Sequence, residues 1–363
     1  MQEQEEGVLN QETDLEQVIR QIRPLDEHDM EQAKKQWNSL AKPLHSLGKL
    51  EEHIIRIAGI TGNPDVKIEE KALIVMCADN GVVEEGVTQT GQEVTAIVAE
   101  NFLSGETSAA IMCKKAGARI LPIDIGMAGK TKVPDHKVAC GTRNFAKEPA
   151  MTREQALQSI LTGVRIVEEQ KKAGVELLAT GEMGIGNTTT SSAVLAALLQ
   201  IDPEKVTGRG AGLTSAGLSR KIQVIRQALA LHKPDANDPV DVLAKVGGFD
   251  IGGLAGVYLG AAKMRLPVLI DGFISGTAAL LACRLCPEAK EYMIASHKSK
   301  EPGMQILLEA LGLSASLDCD MCLGEGTGAV AFFPVLDMAA AVYRQMSTFA
   351  DIQVEEYQEL GDK

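Results

Sequence analysis

The feature that most constrains the fold is a repeated pattern of short apolar segments that end in small or acidic residues. Four segments show this pattern, over residues 71–79, 118–126, 175–181 and 265–272, and a fifth apolar segment, residues 328–336, follows another glycine cluster. Longer stretches with helical periodicity separate them, over residues 92–115, 152–173, 188–200 and 215–231. Strands that alternate with helices predict βαβ units and a parallel sheet that is buried on both faces. We therefore expect an α/β fold.

The predicted strands end in polar residues that a parallel sheet brings to one edge. Asp79, Asp124 and Asp271 each close an apolar run, and Glu182 follows a fourth run. In open α/β sheets, ligands bind in the crevice outside the carboxyl ends of the strands. We therefore expect these polar groups to belong to a single active site.

Composition argues against several classes of function. Acidic residues outnumber basic ones by 49 to 36, which gives a net charge of −13, and only 3% of the residues are aromatic. Such a chain is poorly suited to binding nucleic acid or anionic membranes. The acidic segment 1–17 lacks the parts of a signal peptide, and no apolar run is long enough to span a membrane. We expect a cytoplasmic protein that holds anionic ligands at a local site.

Two pairs of cysteines have the Cys-x-x-Cys spacing of zinc sites, Cys283 with Cys286 and Cys319 with Cys322. The interval between the pairs exceeds the ~15–20 residues usual for such sites, and it contains a predicted helix over residues 302–311. The odd total of seven cysteines fits a reducing compartment better than a disulfide framework. We predict partly buried free thiols, with no metal and no cofactor.

The segment Gly181–Thr190, GEMGIGNTTT, is similar to a phosphate-binding loop that lacks its lysine. Its glycines have the P-loop spacing, but Asn187-Thr188 stands where a P-loop has Lys-Ser/Thr. The loop follows a predicted strand and precedes a helix, whose N-terminus favours an anion. A monophosphate needs no more than this loop and nearby donors, whereas ATP and GTP need the lysine. The alternative is a tight strand-to-helix turn capped by Thr188 or Asn187.

Two further clusters are candidates for the same anion. Residues 208–212, Gly-Arg-Gly-Ala-Gly, contain Arg209, which can pair with an oxyanion through two hydrogen bonds, and Lys221 follows on the next predicted helix. Residues 295–299, Ala-Ser-His-Lys-Ser, offer hydroxyl groups, an imidazole and a cation. The alternatives are a solvated arginine in a loop and a structural histidine.

Two glutamates lie next to glycines on an apolar background, Glu182 in the phosphate-type loop and Glu325 in Leu323–Gly328, LGEGTG. A carboxyl group in such surroundings can have a raised pKa and act as a general base. Two carboxylates near one sugar suit a reaction in which positive charge develops at the anomeric carbon. The structural alternative is a glutamate that accepts hydrogen bonds from the backbone of a turn.

Ten segments together resemble the nicotinate-nucleotide:5,6-dimethylbenzimidazole phosphoribosyltransferases, which assemble the lower-ligand nucleotide of cobalamin. They occur in the family's order and cover about residues 40–340. GEMGIGNTT and LGEGTGA are long and specific. The segments are ADNGVVEEGV (78–87), GQEVT (91–95), NFLSG (101–105), DIGM (124–127), GEMGIGNTT (181–189), GRGAGL (208–213), GGFDIGGLAG (247–256), LIDGFISG (269–276), ASHKSKEPG (295–303) and LGEGTGA (323–329).

This resemblance implies a domain organisation and an assembly. The large α/β catalytic domain, with a Rossmann-like parallel sheet and helices on both faces, would cover residues 61–334. Residues 1–60 together with 335–363 would form a smaller helical domain or arm. The resemblance also implies a homodimer.

The resemblance implies transfer of phosphoribose from nicotinate mononucleotide to a benzimidazole, with release of nicotinate and formation of α-ribazole 5′-phosphate. Glu325 would be the catalytic base, and Glu182 would stabilise the ribose as it becomes cationic. Phosphate and ribose would bind at residues of three clusters and one helix, namely Gly184, Gly186, Asn187, Thr188, Gly208, Arg209, Gly210, Lys221 and Ser296.

The acceptor pocket is where the sequence departs from the family. Members often have an aromatic residue and a proline before the Gln-Glu-Val-Thr segment, whereas this chain has Thr90-Gly91. By resemblance the pocket is lined by Thr88, Gln92, Met183 and Leu323. Adenine, another benzimidazole or a phenol therefore stays open as the acceptor. A non-catalytic nucleotide-binding subunit is the alternative of another class, although such a subunit would need neither glutamate.

Overall fold

The computed structural model describes residues 2–358, with side chains from residue 7 onward. At its centre, a five-stranded sheet has only parallel pairs of neighbouring strands. The strands are β1 (Lys71–Ala78), β2 (Ala118–Gly126), β3 (Leu177–Met183), β4 (Val268–Ile270) and β5 (Met293–Ala295). Their order in the sheet is β2-β1-β3-β4-β5, so the direction of winding changes between β1 and β3. Such a change opens a crevice at the carboxyl ends of the two strands.

Thirteen α-helices surround the sheet within the described range. They are α1 (Gln2–Arg20), α2 (Glu27–Ser39), α3 (Lys49–Thr61), α4 (Glu93–Ser104), α5 (Ser108–Ala116), α6 (Arg153–Lys172), α7 (Asn187–Leu199), α8 (Ser215–His232), α9 (Pro239–Val246), α10 (Phe249–Lys263), α11 (Phe273–Leu285), α12 (Met304–Leu311) and α13 (Thr327–Gln345). Short 3₁₀ helices cover residues 81–85, 203–205 and 287–292. No helix in this part of the chain is both long enough and apolar enough to cross a bilayer.

Strand β1 shows that helices cover both faces of the sheet. Every residue of β1 is buried, and its side chains alternate between two apolar clusters. Ile74 and Met76 pack in the cluster that contains α6 and α10, whereas Val75 and Cys77 pack in the cluster that contains α3, α5 and α13. A strand that is buried on both faces has a continuous apolar sequence. The expected α/β fold with a parallel sheet is confirmed.

The fifth predicted strand, residues 328–336, is wrong. These residues belong to α13, whose residues Ala329, Val330, Phe333 and Leu336 are buried at helical spacing. A short apolar run does not distinguish a buried strand from a buried helix. The observed fifth strand, β5, has only three residues and is too short for a periodicity to indicate it.

The two ends of the chain pack on opposite layers of the molecule. Helix α1 packs against α6 and α10, and Arg153 of α6 forms ion pairs with Glu12 of α1 and with Asp238. Helix α13 packs against α3 and α5 and passes through residue 335. The division into residues 1–60 with 335–363 and residues 61–334 stays a prediction, and residues 359–363 lie outside the described range.

Candidate active site

A cavity of about 300 Å³ lies where β3 ends and α7 begins, at the point where the winding of the sheet changes. Residues 182–188 line the cavity as one continuous segment. Gly186 has a φ of +94°, a left-handed conformation that favours glycine, and α7 starts directly after it without a side-chain cap. The N-terminus of α7 therefore borders the cavity, as an anion-binding loop requires.

The cavity brings together most of the residues predicted for the site. Those that line it are Thr88, Glu182, Met183, Gly184, Gly186, Asn187, Thr188, Arg209, Gly210, Lys221, Leu323 and Glu325. Three predicted residues do not line it, and each lies within two residues of one that does. These three are Gln92, Gly208 and Ser296.

The two glutamates meet in the cavity. The backbone N–H of Glu325 donates to Oε1 of Glu182 at 3.4 Å, and the side-chain amide of Asn187 donates to Oε2. Burial raises the pKa of Glu182, and the charges of Asp250 and Asp271 raise it further. Burial also raises the pKa of Glu325, with a smaller contribution from the charge of Asp271. Both carboxyl groups therefore bind a proton more readily than a solvated glutamate does.

Asp271 fixes the loop that carries Glu325. This buried carboxylate follows β4 and accepts hydrogen bonds from the backbone N–H groups of Gly326, Gly328 and Ala329, at 3.2, 2.8 and 3.1 Å. These donors form the first turn of α13, where unpaired N–H groups favour an anion. His297 lies close to the same carboxylate, with Nδ1 at 3.9 Å from Oδ1 of Asp271. The start of α13 is thus held to the end of β4.

Lys221 supplies a buried cation beside the glycine loop. Its Nζ donates to Oγ1 of Thr188 at 2.8 Å and to the carbonyl of Gly208 at 3.3 Å. Burial lowers the pKa of Lys221 to about 8, although the charge of Glu301 opposes that shift. Arg209, by contrast, donates within its own loop to the carbonyl of Leu213 at 2.8 Å. Lys221 is therefore the better placed of the two cations to meet a phosphate.

The predicted acceptor pocket combines one buried wall with a more exposed rim. Met183 is buried at the end of β3, whereas Leu323 is largely exposed at the rim. Thr88 donates to the carbonyl of Thr90 at 2.8 Å, and Gln89 donates to the carbonyl of Gly212, which ties this loop to the second glycine cluster. Gln92 does not line the cavity, and its side-chain amide donates to the carbonyl of Asn80 at 3.1 Å.

The polar side chains of residues 295–299 have different positions, since one supports the sheet and two line the cavity. Ser296 is fully buried and donates to the carbonyl of Ile270 at 2.6 Å, so its hydroxyl holds β5 against β4. His297 and Ser299 line the cavity.

All seven cysteines are free, and Cys322 reaches the cavity. Within residues 2–358, no group of three or more His, Cys, Asp or Glu is arranged to hold a metal ion.

Several lining residues are not among the predicted site residues. The sequence marks Asp271 only as the polar end of a strand, and it assigns neither His297 nor Glu301 an individual role. Spacing along the chain gives no signal, because α11 and β5 separate Asp271 from the other two. The polar cluster before Glu301-Pro302 is the one sequence signal that could have indicated these residues. The sequence does not show, however, that Glu301 lies close to Lys221.

The chain is similar to known proteins over most of its length. The family model described as Phosphoribosyltransferase matches residues 22–354. The nicotinate-nucleotide–dimethylbenzimidazole phosphoribosyltransferase of Acetivibrio thermocellus is 49% identical over 345 residues, which are 94% of this chain and 98% of the relative. That of Ruminiclostridium cellulolyticum is 48% identical over 349 residues, 95% of this chain and 99% of the relative.

A solved structure is also similar in fold. The crystal structure of the enzyme of the same name from Thermus thermophilus has a TM-score of 0.86 at 39% identity, and the match covers 92% of this chain and 100% of that one. Both the family model and the relatives span nearly the whole chain. The chain belongs to the nicotinate-nucleotide–dimethylbenzimidazole phosphoribosyltransferase family.

Proposed function

We propose that the protein transfers phosphoribose from nicotinate mononucleotide to 5,6-dimethylbenzimidazole, giving α-ribazole 5′-phosphate and nicotinate for the lower ligand of cobalamin. The observation that carries this proposal is the meeting of Glu182 and Glu325 in one cavity with the loop Gly184–Thr188 and Lys221. Carboxylates suit the ribose and the incoming base, and the glycine loop with its lysine suits a single 5′-phosphate.

The donor end of the cavity needs no general acid. Nicotinate is bound to ribose through a positively charged pyridinium nitrogen, so it departs with the electron pair of the bond and loses that charge. Positive charge then develops on the ribose. That charge favours the ionised form of Glu182, whose carboxylate stabilises it. The N-terminus of α7 and Lys221 hold the phosphate and fix the position of the anomeric carbon.

The acceptor end needs a base, and Glu325 is placed to be that base. One ring nitrogen of the benzimidazole attacks the anomeric carbon, and the N–H of the other ring nitrogen must lose its proton. The buried Oε2 of Glu325 has no hydrogen-bond partner among the described residues, so it is free to accept that proton. Attack from the face opposite to the leaving nicotinate converts the β-linkage into an α-linkage.

Product analysis tests this function. The purified protein is incubated with nicotinate mononucleotide and, separately, with 5,6-dimethylbenzimidazole, benzimidazole, adenine or p-cresol. We expect release of nicotinate and formation of an α-ribotide, fastest with 5,6-dimethylbenzimidazole. Tight binding of the mononucleotide without turnover on any base would instead indicate a nucleotide-binding subunit.

We also propose that the enzyme is a cytoplasmic homodimer. Free and exposed thiols such as Cys140 and Cys319 persist in a reducing compartment. Large apolar side chains are exposed on three helices that cover the same face of the sheet, namely Ile97 and Leu103 on α4, Ile111 on α5 and Met338 on α13. Large apolar residues exposed on one face of a protein are typical of protein interfaces.

A further inference from the structure

The glycine loop at the cavity is held from behind by two side chains that do not themselves line the cavity. These are Asn80, which lies two residues after β1, and Thr95 in the first turn of α4. Both are fully buried, and neither has a role in the reaction derived above. Their contacts determine how the peptide groups of the loop are oriented.

Both side chains form hydrogen bonds with Ile185, in the middle of the loop. Oγ1 of Thr95 accepts a hydrogen bond from the N–H of Ile185 at 3.1 Å. The side-chain amide of Asn80 donates to the carbonyl of Ile185 at 3.4 Å. The same side chain packs against the loop, because a Cβ on Gly186 would lie 3.3 Å from Cβ of Asn80. Ile185 is therefore fixed at both its N–H and its carbonyl group.

Four of the six N–H groups of residues 185–190 donate to acceptors within the described structure. The acceptors are Oγ1 of Thr95 for Ile185, the carbonyl of Gly184 for Asn187, and the carbonyl of Gly186 for Thr189 and Thr190. The N–H groups of Gly186 and Thr188 have no acceptor among the described residues. Both residues line the cavity, so these are the two backbone donors that the loop offers to an anion.

The hydrogen bonds of Ile185 decide where one of these donors points. No cis peptide bond occurs in the described part of the chain, so the peptide group between Ile185 and Gly186 is trans and its N–H points opposite to its carbonyl. That carbonyl points to Asn80, behind the loop, and the N–H of Gly186 therefore points to the cavity side. Thr95 fixes the preceding peptide group, whose N–H it binds away from the cavity.

Lys221 and Thr188 lie at the same corner of the cavity. Nζ of Lys221 donates to Oγ1 of Thr188 at 2.8 Å. A Cβ on Gly210 would lie 2.9 Å from that oxygen and 3.6 Å from Nζ, so the corner is closed on one side by the second glycine cluster. A phosphate at this corner meets two backbone donors and one cation.

We propose that Thr95 is a positioning residue for the phosphate of the nucleotide substrate. Its hydroxyl holds Ile185, so that the N–H of Gly186 points at the phosphate, and Thr95 itself touches neither substrate. A loop without this hydrogen bond can rotate its peptide groups, and a carbonyl turned into the same corner repels the phosphate. This inference rests on the proposed function, in which the loop binds the 5′-phosphate of nicotinate mononucleotide.

Steady-state kinetics with both substrates tests the proposal. Thr95→Val keeps the shape and removes the acceptor, so we expect the KM for nicotinate mononucleotide to rise about 10- to 100-fold, the worth of one hydrogen bond to a charged group. The KM for 5,6-dimethylbenzimidazole, which has no phosphate, should stay within about threefold of wild type. Thr95→Ser keeps the acceptor and should restore both values. This split between two KM values, with rescue by serine, is a result that a merely structural threonine would not give.

Isothermal titration calorimetry with nicotinate mononucleotide alone measures the same effect without turnover. Thr95→Val should raise the Kd about 10- to 100-fold. Asn80→Ala removes the longer of the two hydrogen bonds to Ile185, so we expect a smaller rise in Kd, about 3- to 10-fold. This second variant tests the orientation of the loop even if the valine variant does not fold.

The control is Thr107→Val. Oγ1 of Thr107 also accepts a backbone N–H at 3.1 Å, that of Ala110 at the start of α5, and neither residue lines the cavity. The substitution removes the N-cap of α5, so it should lower the melting temperature and leave the Kd for nicotinate mononucleotide unchanged. Thermal unfolding of every variant shows which of them are folded.

The outcomes separate the inference from the function. If the wild type binds nicotinate mononucleotide but releases no nicotinate with any base, the proposed reaction fails while calorimetry still tests the inference. If the wild type does not bind the mononucleotide, both fail. The inference alone is overturned by a folded valine variant or an alanine variant with the wild-type Kd, by a serine variant as weak as the valine variant, or by an equal loss of affinity for the acceptor.

Discussion

Glu325 has a backbone conformation that few non-glycine residues adopt. Its φ is +60°, between glycines whose φ values are +84° and +86°. A left-handed residue other than glycine costs roughly 1–2 kcal/mol, so neighbouring contacts must hold it in place. Asp271 supplies them through the N–H groups of the first turn of α13. Strain of this kind at a single residue fits a side chain whose position matters for chemistry.

The first prediction at this scale concerns the charge of Glu325. Glu325→Gln keeps the shape and removes the base, so we expect turnover to fall about 10²- to 10⁴-fold. Binding of nicotinate mononucleotide, measured by isothermal titration calorimetry, should persist. Glu309→Gln, at an exposed position on α12, is the matched control and should leave turnover unchanged. Near-normal turnover of Glu325→Gln would remove Glu325 from the role of base.

The second prediction concerns pH and Lys221. Burial lowers the pKa of Lys221 to about 8, so its ammonium form is complete well below that pH and is lost as the pH rises through it. Because only the ammonium form attracts the phosphate, kcat/KM for nicotinate mononucleotide should fall roughly 10-fold on the alkaline side. Lys221→Met should have a low kcat/KM and lack this alkaline fall. A wild-type kcat/KM that stays constant through about pH 9 contradicts the assignment.

The sequence predicts the identity of the site residues better than their contacts. Glu182 and Glu325 stand out as acids in apolar, glycine-rich surroundings, and the structure brings them together. Asp250, in the glycine-rich start of α10, gives no comparable signal. Its relation to Glu182 depends on how α10 packs against β3, which is a tertiary contact that spacing does not encode.

At the scale of elements, the sequence predicts those strands that are long and buried on both faces, because such strands have continuous apolar sequences. β1 and β2 match their predicted ranges closely, because the long apolar runs end in Asp or Gly. The prediction of a strand over residues 328–336 is wrong because these residues belong to α13. That helix is buried on most of its surface, so its sequence is as apolar as that of a buried strand. The predicted helix 92–115 is two helices, since Gly105 ends α4 with a φ of +81°.

Close helix packing gives the third prediction. Helices α6 and α10 approach so closely at Gly163 that a Cβ there would collide with the carbonyl of Gly253 and lie 2.8 Å from the N atom of Val257. Backbone atoms cannot move aside easily, so Gly163→Ala should lower the free energy of unfolding by about 1–3 kcal/mol. Denaturant unfolding measures this change.

Gly7→Ala is the matched control for that measurement. It is also a helical position, on α1, but the nearest atom to its Cβ would be Oε1 of Glu154 at an ordinary 3.5 Å. There the usual advantage of alanine in a helix should stabilise the protein by about 0.5–1 kcal/mol. Equal effects at the two positions would show that the contact between α6 and α10 is not as close as described.

At the scale of the whole molecule, the net charge of −13 opposes the approach of an anionic substrate, and the site compensates for this locally. The end of the cavity that we propose for the phosphate combines the N-terminus of α7 with Lys221, whereas the acids are grouped around Glu182. Binding therefore depends on short-range contacts, since the overall field does not attract an anion over long range. Composition predicts this need for a local site, and the fold is needed to propose where that site lies.

The last prediction concerns assembly. Ile111 on α5 and Leu231 on α8 have the same exposure, 58% each, but only Ile111 belongs to the group of exposed apolar residues proposed as the dimer interface. A charge buried in an interface without a partner is costly, so Ile111→Glu should weaken the dimer by about 2 kcal/mol or more, roughly 30-fold in Kd. Leu231→Glu should leave the dimer intact.

Sedimentation velocity over a range of concentrations measures both variants against the wild type. The expected result is a dimer for wild type and Leu231→Glu, and a shift toward monomer for Ile111→Glu at the same concentration. A wild type that sediments as a monomer at all concentrations rejects the homodimer. A dimer that both substitutions leave equally stable moves the interface away from the face formed by α4, α5 and α13, because a buried glutamate at Ile111 could not be tolerated there.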